Sequence, residues 1–381
     1  MKILSLGLDN SVLDKKSSLA QRTIEYGNLV ERYTVIVPCR ENKEVVLSER
    51  AWAVGVGSQN KVIALFKIFK TAKRLLNKEK YNIITVQDQY YLALLGWLLA
   101  KKFSIGLEIQ IHGFEKYYWL RKVIAKYILP RAGAVRVVSQ RLKKRLVEEF
   151  GVNAEKITVV PIYTRIKNYE LRIMNNRLKN NNFIFLTVGR LVPIKNIEMQ
   201  IRAMKELKVK SEKLKVELWI VGIGEKSKEL KVKSEKLGIG ESVKLLGWKS
   251  KEELEKIYEQ ADIFLLTSDS EGWGMAVIEA ASCGLPIIMT DVGCAGEVIK
   301  GFEHAATIGV HANDLNNVSG IVIPVGDQGK LEENMIKLIE DKELRRKLGE
   351  NARQAVLTLP NKEETLKLYK KSWENAVKNK S

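Results

Sequence analysis

TSDSEGWGMAVIEAASCGLP, residues Thr267 to Pro286, carries two carboxylates, Glu271 and Glu279, with seven residues between them. The apolar run just before it, Ile263-Phe264-Leu265-Leu266, is bounded by Asp262 and Ser268 and predicts a buried parallel strand. From Met275 to Cys283 there are helix formers and no breaker, until Gly284 and Pro286 end the run. Glu271 therefore falls in the loop off the strand's carboxyl end, and Glu279 on the second turn of the next helix. Gly272 and Gly274 allow the backbone to approach a ligand closely, and the first helical amides (Met275, Ala276, Val277) lack helical partners. A helix start of this kind attracts negatively charged, oxygen-rich ligands, and carboxylates beside it accept hydrogen bonds from hydroxyls. Amides for phosphate or sugar oxygens and carboxylates for sugar hydroxyls together suit a nucleotide-sugar. A plain strand–loop–helix with solvated glutamates has the same spacing.

The second half repeats this strand-then-helix pattern around that stretch. Residues 183–188 predict a strand, followed by Gly189-Arg190-Leu191-Val192-Pro193-Ile194-Lys195 and a helix from Asn196. Residues 216–221 lead into Gly222-Ile223-Gly224 and another helix. Further strands are expected at 243–246, 286–290 and 320–324, with helices from Leu331 and Lys342. In open parallel sheets ligands bind beyond the carboxyl ends of the strands. There Arg190 and Lys195 could hold a diphosphate, the guanidinium as a fork and the ammonium as a point charge; the same pair also reads as surface charge. Gly222-x-Gly224 is half a phosphate signal, because Ser227 stands where a dinucleotide fingerprint has its third glycine.

In the first half, strands are expected at 2–7, 33–38, 83–86, 106–111, 135–138 and 157–161, and helices at 19–30, 62–76, 90–100, 117–128 and 140–150. This alternation predicts a parallel sheet covered on both faces. The helix at 62–76 places Val62, Leu65, Phe66, Phe69, Ala72 and Leu76 on one face, with Lys61, Lys67, Lys70, Lys73 and Arg74 mostly off it. His112 ends the 106–111 strand, a position for a catalytic or a structural histidine. The expected organisation is a first domain over 1–165, joined by a final helix in 361–381; a linker over 166–182, where no period is visible; and a second domain over 183–360.

Of the 381 residues 45% are hydrophobic, enough for two cores, and the net charge is +19. The charge is unevenly placed: residues 1–180 carry 33 basic and 15 acidic side chains, residues 181–381 carry 31 and 30. A cationic first half fits an anionic membrane surface, a phosphorylated acceptor or nucleic acid. Cys39, Cys283 and Cys294 lack metal or redox spacing, so no metal site is expected and a reducing, cytoplasmic compartment is. The opening residues are too short an apolar core for a signal peptide, and the longest apolar run, 90–100, is well below the roughly 20 residues of a membrane span. The nonapeptide ELKVKSEKL occurs at 206–214 and 229–237 and reads as a duplication on two exposed helices.

Taken together, QDQYYLALLGWLLAKK, LEIQIHGFE, FLTVGRLVPIKNIEMQIRAM, LWIVGIGEKSKEL, VKLLGWKSKEELEKIYEQADIFLLTSDSEGWGMAVIEAASCGLPIIMTDVGCAGEVI and GIVIPVGD resemble the retaining nucleotide-sugar glycosyltransferases of the GT-B fold, family four (glycosyltransferase group 1). They cover nearly all of the second half and scattered parts of the first. The resemblance implies two Rossmann-like domains facing across a cleft, with the donor in the second. It implies that Arg190 and Lys195, beside Gly189, neutralise the diphosphate leaving group. Glu271 would bind donor-sugar hydroxyls beside the amides of Gly274, Met275 and Ala276, and Glu279 the ribose hydroxyls. Trp248 and Lys249 would meet the base, Gly222 would line the donor site, and His112 would lie near the reacting sugar carbon. Glu115 matches the family's acidic residue after that histidine. The chain departs from the family in its first loop, residues 8–17, which lacks the usual glycine pair.

The expected reaction moves a sugar from a nucleoside diphosphate to an acceptor hydroxyl, with no cofactor beyond the nucleotide-sugar. The acceptor would be a sugar or lipid-linked molecule, and the protein peripheral on the inner membrane face. The basic helices at 61–80, 121–131 and 140–150, interleaved with Phe66, Phe69, Tyr117, Tyr118 and Trp119, are the expected membrane surface. A sugar phosphorylase or nucleotide-sugar epimerase shares this architecture. A nucleic-acid binder would explain the charge but lacks an RNA-binding motif or stacking platform, and leaves the second half unexplained.

Overall fold

A computed structural model describes residues 1–114, 119–164, 182–210, 215–302 and 318–380. The chain divides into two compact units, Met1–Tyr163 with Pro360–Ser381, and Thr164–Leu359. Each is an α/β sheet domain with its own core. All of the expected linker except Asn182 lies outside the described residues, as do Glu115, Tyr117, Tyr118 and the end of the first nonapeptide.

The first unit holds an eight-stranded sheet in the order β3-β4-β2-β1-β5-β6-β7-β8. The strands are β1 Lys2–Leu6, β2 Arg32–Cys39, β3 Lys43–Ser48, β4 Ala51–Gly57, β5 Ile83–Val86, β6 Gly106–Ile111, β7 Ala134–Val137 and β8 Ile157–Val159. The helices are α1 Ser18–Asn28, α2 Lys61–Lys78, α3 Tyr91–Phe103, α4 Trp119–Ile128 and α5 Gln140–Phe150. Ser17 and Ser139 cap α1 and α5 by accepting from the amides of Ala20 and Leu142. Gly151, at φ +66°, ends α5 in the left-handed conformation.

Two expectations need correction here. The sheet is not wholly parallel, because β3 pairs antiparallel with β4 at its edge while β4 runs parallel to β2. The connecting Glu49-Arg50 has none of the glycine or asparagine that usually marks a hairpin, so the sequence conceals it. The buried stripe of α2 is Ala64, Ile68, Ala72 and Leu76, whereas Val62 and Phe66 are exposed. The small side chains of Ala64 and Ala72 seat the helix on β2 and β4, which turns the large residues of its first turns outward.

The second unit is a six-stranded parallel sheet ordered β11-β10-β9-β12-β13-β14. Its strands are β9 Asn182–Val188, β10 Lys215–Val221, β11 Val243–Gly247, β12 Ile263–Leu266, β13 Ile287–Thr290 and β14 Ile321–Ile323. Its helices are α6 Ile197–Lys210, α7 Ser227–Lys236, α8 Lys251–Gln260, α9 Met275–Ser282, α10 Gln328–Glu340 and α11 Lys342–Leu357. Strand order reverses between β9 and β12. At such a switch point the carboxyl ends of the strands are the position where open parallel sheets bind ligands.

The final helix, α12 Lys362–Lys378, returns to the first unit and packs on β5 to β8. Trp373 is fully buried among Tyr26, Tyr33 and Tyr369. Ser372 donates to Glu108 Oε1 at 2.5 Å, and the Arg136 guanidinium lies 3.5 Å from the same oxygen and 3.8 Å from the centre of the Tyr369 ring. Gly106 and Gly133 allow the helix backbone to lie against the sheet, since a Cβ at either would come within 2.8 Å of the Ala376 carbonyl oxygen.

Candidate active site

The candidate site of the second unit is built from the loops after β9 and β12. Asn196, at φ +45°, reverses the chain between the short turn Pro193–Lys195 and α6. Thr267 fastens this loop to the end of β12: its hydroxyl donates toward the carbonyls of Lys195 and Asn196 at 3.2 and 3.0 Å, and accepts from Gln200 Nε2 at 2.8 Å. Asp269 adds a backbone bond to the Ile194 carbonyl at 2.8 Å and accepts from the Asn196 side chain at 3.2 Å. This register places the Lys195 ammonium in an ion pair with Glu271, whose same oxygen accepts from Ser268 Oγ at 2.7 Å. Both members of the pair are largely shielded from solvent, so Glu271 is oriented and Lys195 extended over Gly189.

Arg190 stands exposed on the same loop and makes no ion pair with another described residue. The two loops therefore offer one held cation, one exposed cation without an ion pair among the described residues, and one fixed carboxylate. Gly274, at φ +91°, starts α9. The amides of Met275 and Ala276 have no helical partner. Val277 was expected to share that role, but its amide bonds the Gly274 carbonyl at 2.9 Å, which removes it from the donor set. Gly293 holds the Glu271 loop from behind, since a Cβ there would lie 2.6 Å from the Trp273 carbonyl oxygen and 3.0 Å from the Glu271 Cβ.

Glu279 projects from α9 and is half-buried. Tyr258 of α8, itself buried, donates to Glu279 Oε2 at 3.0 Å. Burial raises the Glu279 carboxyl above the usual range, and the Tyr258 bond and Lys251 pull it back down in part. The structure gives no contact between the Glu279 carboxylate and the Lys195–Glu271 pair. Gly222 and Gly224 serve packing of backbone on backbone: a Cβ at Gly222 would fall 1.9 Å from the Gly189 oxygen, and one at Gly224 2.3 Å from the Leu191 oxygen. That closeness couples the loop after β10 to the loop bearing Arg190. Trp248, 69% exposed, and Lys249, paired with Glu253 at 3.3 Å, follow edge strand β11.

In the first unit His112 follows β6 and is exposed; its neighbour Gly113 accepts from Gln89 Nε2 at 3.0 Å. Desolvation by the surrounding protein, then the guanidiniums of Arg136 and Arg22, lower its imidazole to about 4. The loop after β1 forms a short 3₁₀ turn, Asn10–Leu13, with Val12 and Leu13 in the core, so apolar plugs occupy the stretch in which the family's glycine pair was sought.

Ser268, Thr267, Asn196 and Tyr258 were not singled out from sequence. Ser268 stands three residues before Glu271, and that spacing was the one local signal available. Tyr258 lies 21 residues before Glu279 on another helix, which no local pattern connects.

Each unit is a Rossmann-like α/β sheet, the architecture on which GT-B transferases are built. The family described as Glycosyl transferases group 1 matches residues 170–355, and that described as Glycosyltransferase Family 4 matches residues 27–162. A glycosyltransferase of Methanocaldococcus jannaschii is 24% identical over 76% of this chain and 74% of its own. The Escherichia coli UDP-Gal:alpha-D-GlcNAc-diphosphoundecaprenol alpha-1,3-galactosyltransferase is 24% identical over 82% of each. An Anabaena protein solved in complex with UDP and glucose superposes with a TM-score of 0.72 over 98% of both chains, at 20% identity. The chain belongs to the group 1 glycosyltransferases.

Proposed function

We propose that this glycosyltransferase moves a sugar from a nucleoside-diphosphate sugar to a hydroxyl of a sugar or lipid-linked acceptor held at a membrane, with retention at the anomeric carbon, in glycan or glycolipid assembly. The observation that carries the reading is the Lys195–Glu271–Ser268 constellation at the strand-order reversal, beside the open amides of Met275 and Ala276. In this reading Arg190 and Lys195 take the diphosphate, Glu271 the sugar hydroxyls, and Glu279 the ribose. Gly189, Gly222 and Gly274 let backbone approach the donor, and Trp248 and Lys249 flank the base. His112, neutral at physiological pH, is the first unit's contribution.

In the transfer the bond from the anomeric carbon to the phosphate oxygen breaks and a bond to the acceptor oxygen forms. The acceptor proton passes to the departing phosphate. Charge growing on that phosphate is met by Lys195, Arg190 and the helix amides, so the reading calls on no resident metal or cofactor. A UDP-linked donor is favoured by the Anabaena complex, and a diphosphate-lipid acceptor by the E. coli relative's name. No helix among the described residues is long and apolar enough to cross a membrane. In this reading the acceptor is met at the cytoplasmic face of the bilayer.

The test begins with thermal shift against UDP, GDP and ADP and their sugars; a ligand at about 100 times its Kd stabilises by about 2.7 kcal/mol. Release of nucleoside diphosphate is then followed with and without lipid-linked acceptors. Lys195→Ala and Arg190→Ala should each lower turnover about 10²-fold or more. Near-normal transfer in both variants would remove the diphosphate assignment, and acceptor-independent phosphorolysis would favour a phosphorylase.

A further inference from the structure

The first unit presents a layer of three helices, α2 packed on α3 and α3 on α4. Together these helices contain eleven Lys and Arg and no Asp or Glu. On α4 the buried side is Ala125 and Ile128, and the outward side is Trp119, Lys122, Val123, Lys126 and Tyr127. That is positions i, i+3, i+4, i+7 and i+8, one complete helical face on which apolar and cationic side chains alternate. Trp119 is 78% exposed and Phe66, on α2, 66%. Leu98, Lys101 and Lys102 on α3 and Val62, Lys67 and Lys70 on α2 are exposed as well.

These groups are fixed from beneath. The Trp97 ring meets Tyr127 edge-on at 5.6 Å, and the Arg121 guanidinium lies 5.4 Å from the Tyr90 ring centre, which holds α4 to α3. On α2 Arg74 lies 3.9 Å from Glu44, and the Lys73 ammonium beside Lys102 holds the Lys102 pKa below its usual value. Helix α5 is different. It was expected to share the surface, but Lys144 and Arg145 pair along the helix with Glu148 and Glu149 at 3.9 and 2.9 Å.

We propose that the outward face of α4, flanked by the exposed residues of α2 and α3, docks this protein on an anionic lipid bilayer. Trp119, Val123, Tyr127 and Phe66 enter the headgroup layer, and Lys122, Lys126, Lys70 and Lys101 lie against lipid phosphates. Indole and phenol rings favour that boundary, and each close Lys or Arg adds an increment that salt screens. Nucleic acid would meet the charges but gives Trp119 and Val123, on one ridge with the lysines, no apolar layer to enter. The inference rests on the membrane-held acceptor proposed above.

The experiment is vesicle flotation of the full chain, on pure phosphatidylcholine and on phosphatidylcholine with phosphatidylglycerol, alongside calorimetric binding of UDP. Wild-type protein should float with the anionic vesicles and release as salt rises. Lys122→Glu/Lys126→Glu should weaken flotation at least about thirtyfold, and Trp119→Ser several-fold, both with UDP affinity unchanged. Lys144→Glu, on α5, should float like wild type. Equal weakening by Lys144→Glu would show net charge alone at work and overturn the assigned face, as would preference for RNA over anionic vesicles. Wild-type protein that binds UDP but floats with neither vesicle would overturn the surface and leave the transferase reading standing. Flotation without nucleoside-diphosphate binding would do the reverse.

Discussion

Tyr258→Phe removes one hydroxyl and tests how Glu279 is made ready for its ligand. The phenol donates to Glu279 Oε2 at 3.0 Å, and its ring packs near Phe264, with centroids 6.2 Å apart. Phenylalanine keeps that packing, so no cavity forms and the change reports the hydrogen bond. A bond to a charged acceptor contributes about 1.5–3 kcal/mol. Glu279 is half-buried, so water replaces part of it, and a loss of about 1 kcal/mol of stability is expected. Re-ordering the freed carboxylate on binding costs about 0.5–1.5 kcal/mol, which is roughly a two- to tenfold rise in Kd for a nucleoside diphosphate. The pH dependence gives a second reading. Burial already raises this carboxyl, and the Tyr258 bond is the first of the groups holding it down. Without the bond the carboxyl titrates higher still, so nucleotide binding is lost on the acid side at a higher pH than in wild type. Calorimetry with UDP across a pH series reads both effects. An unchanged Kd with an unmoved acid limb would refute the idea that Tyr258 orients Glu279 for the ribose.

Glu271→Gln should spare UDP affinity and depress sugar transfer, while Glu279→Gln should weaken UDP itself; calorimetry and turnover on the two variants would expose swapped roles. His112→Ala should fold and bind UDP but transfer poorly. Because burial and the guanidiniums of Arg136 and Arg22 lower the His112 imidazole to about 4, below the roughly 6.5 of an unfolded chain, the unfolded chain binds the extra proton between those values. Stability should therefore fall as pH is lowered through that window, and urea melts of His112→Ala should show a shallower fall. Gly222→Ala should cost several kcal/mol or abolish folding of the second unit, since its Cβ would sit 1.9 Å from the Gly189 oxygen at a φ of +133°; a denaturation midpoint near wild type would show that the loop yields.

Much of the fold was legible because its signals are local. Strands β5, β6 and β12 and helix α5 begin and end where apolar runs and breakers say they should. The hairpin β3–β4 was missed because its turn uses Glu49 and Arg50, and the buried side of α2 was misassigned because alanines, not its larger residues, face the sheet. At the site, Arg190, Lys195, Glu271 and Glu279 were visible as charges beside predicted strand ends. What sequence could not supply was the fastening. Thr267 reaching the carbonyls of Lys195 and Asn196, and Tyr258 reaching Glu279, are long-range contacts with no periodic trace. Val277 was misread for a smaller reason, a local turn bond to Gly274 that begins the helix one amide early.

The return of α12 also sets an order of events during synthesis. The second unit is one uninterrupted segment, so all of its strands and helices are available once residue 359 has emerged. The first unit is made first but cannot be finished first. Until residues 362–378 emerge, Tyr26 and Tyr33 lack Trp373, and Glu108 and Arg136 lack Ser372 and Tyr369. A buried carboxylate and guanidinium would wait half-satisfied beneath an uncovered sheet. The domain translated first is thus the one completed last, and a chain that stalls near residue 360 carries a closed second unit and an open, aggregation-prone first one.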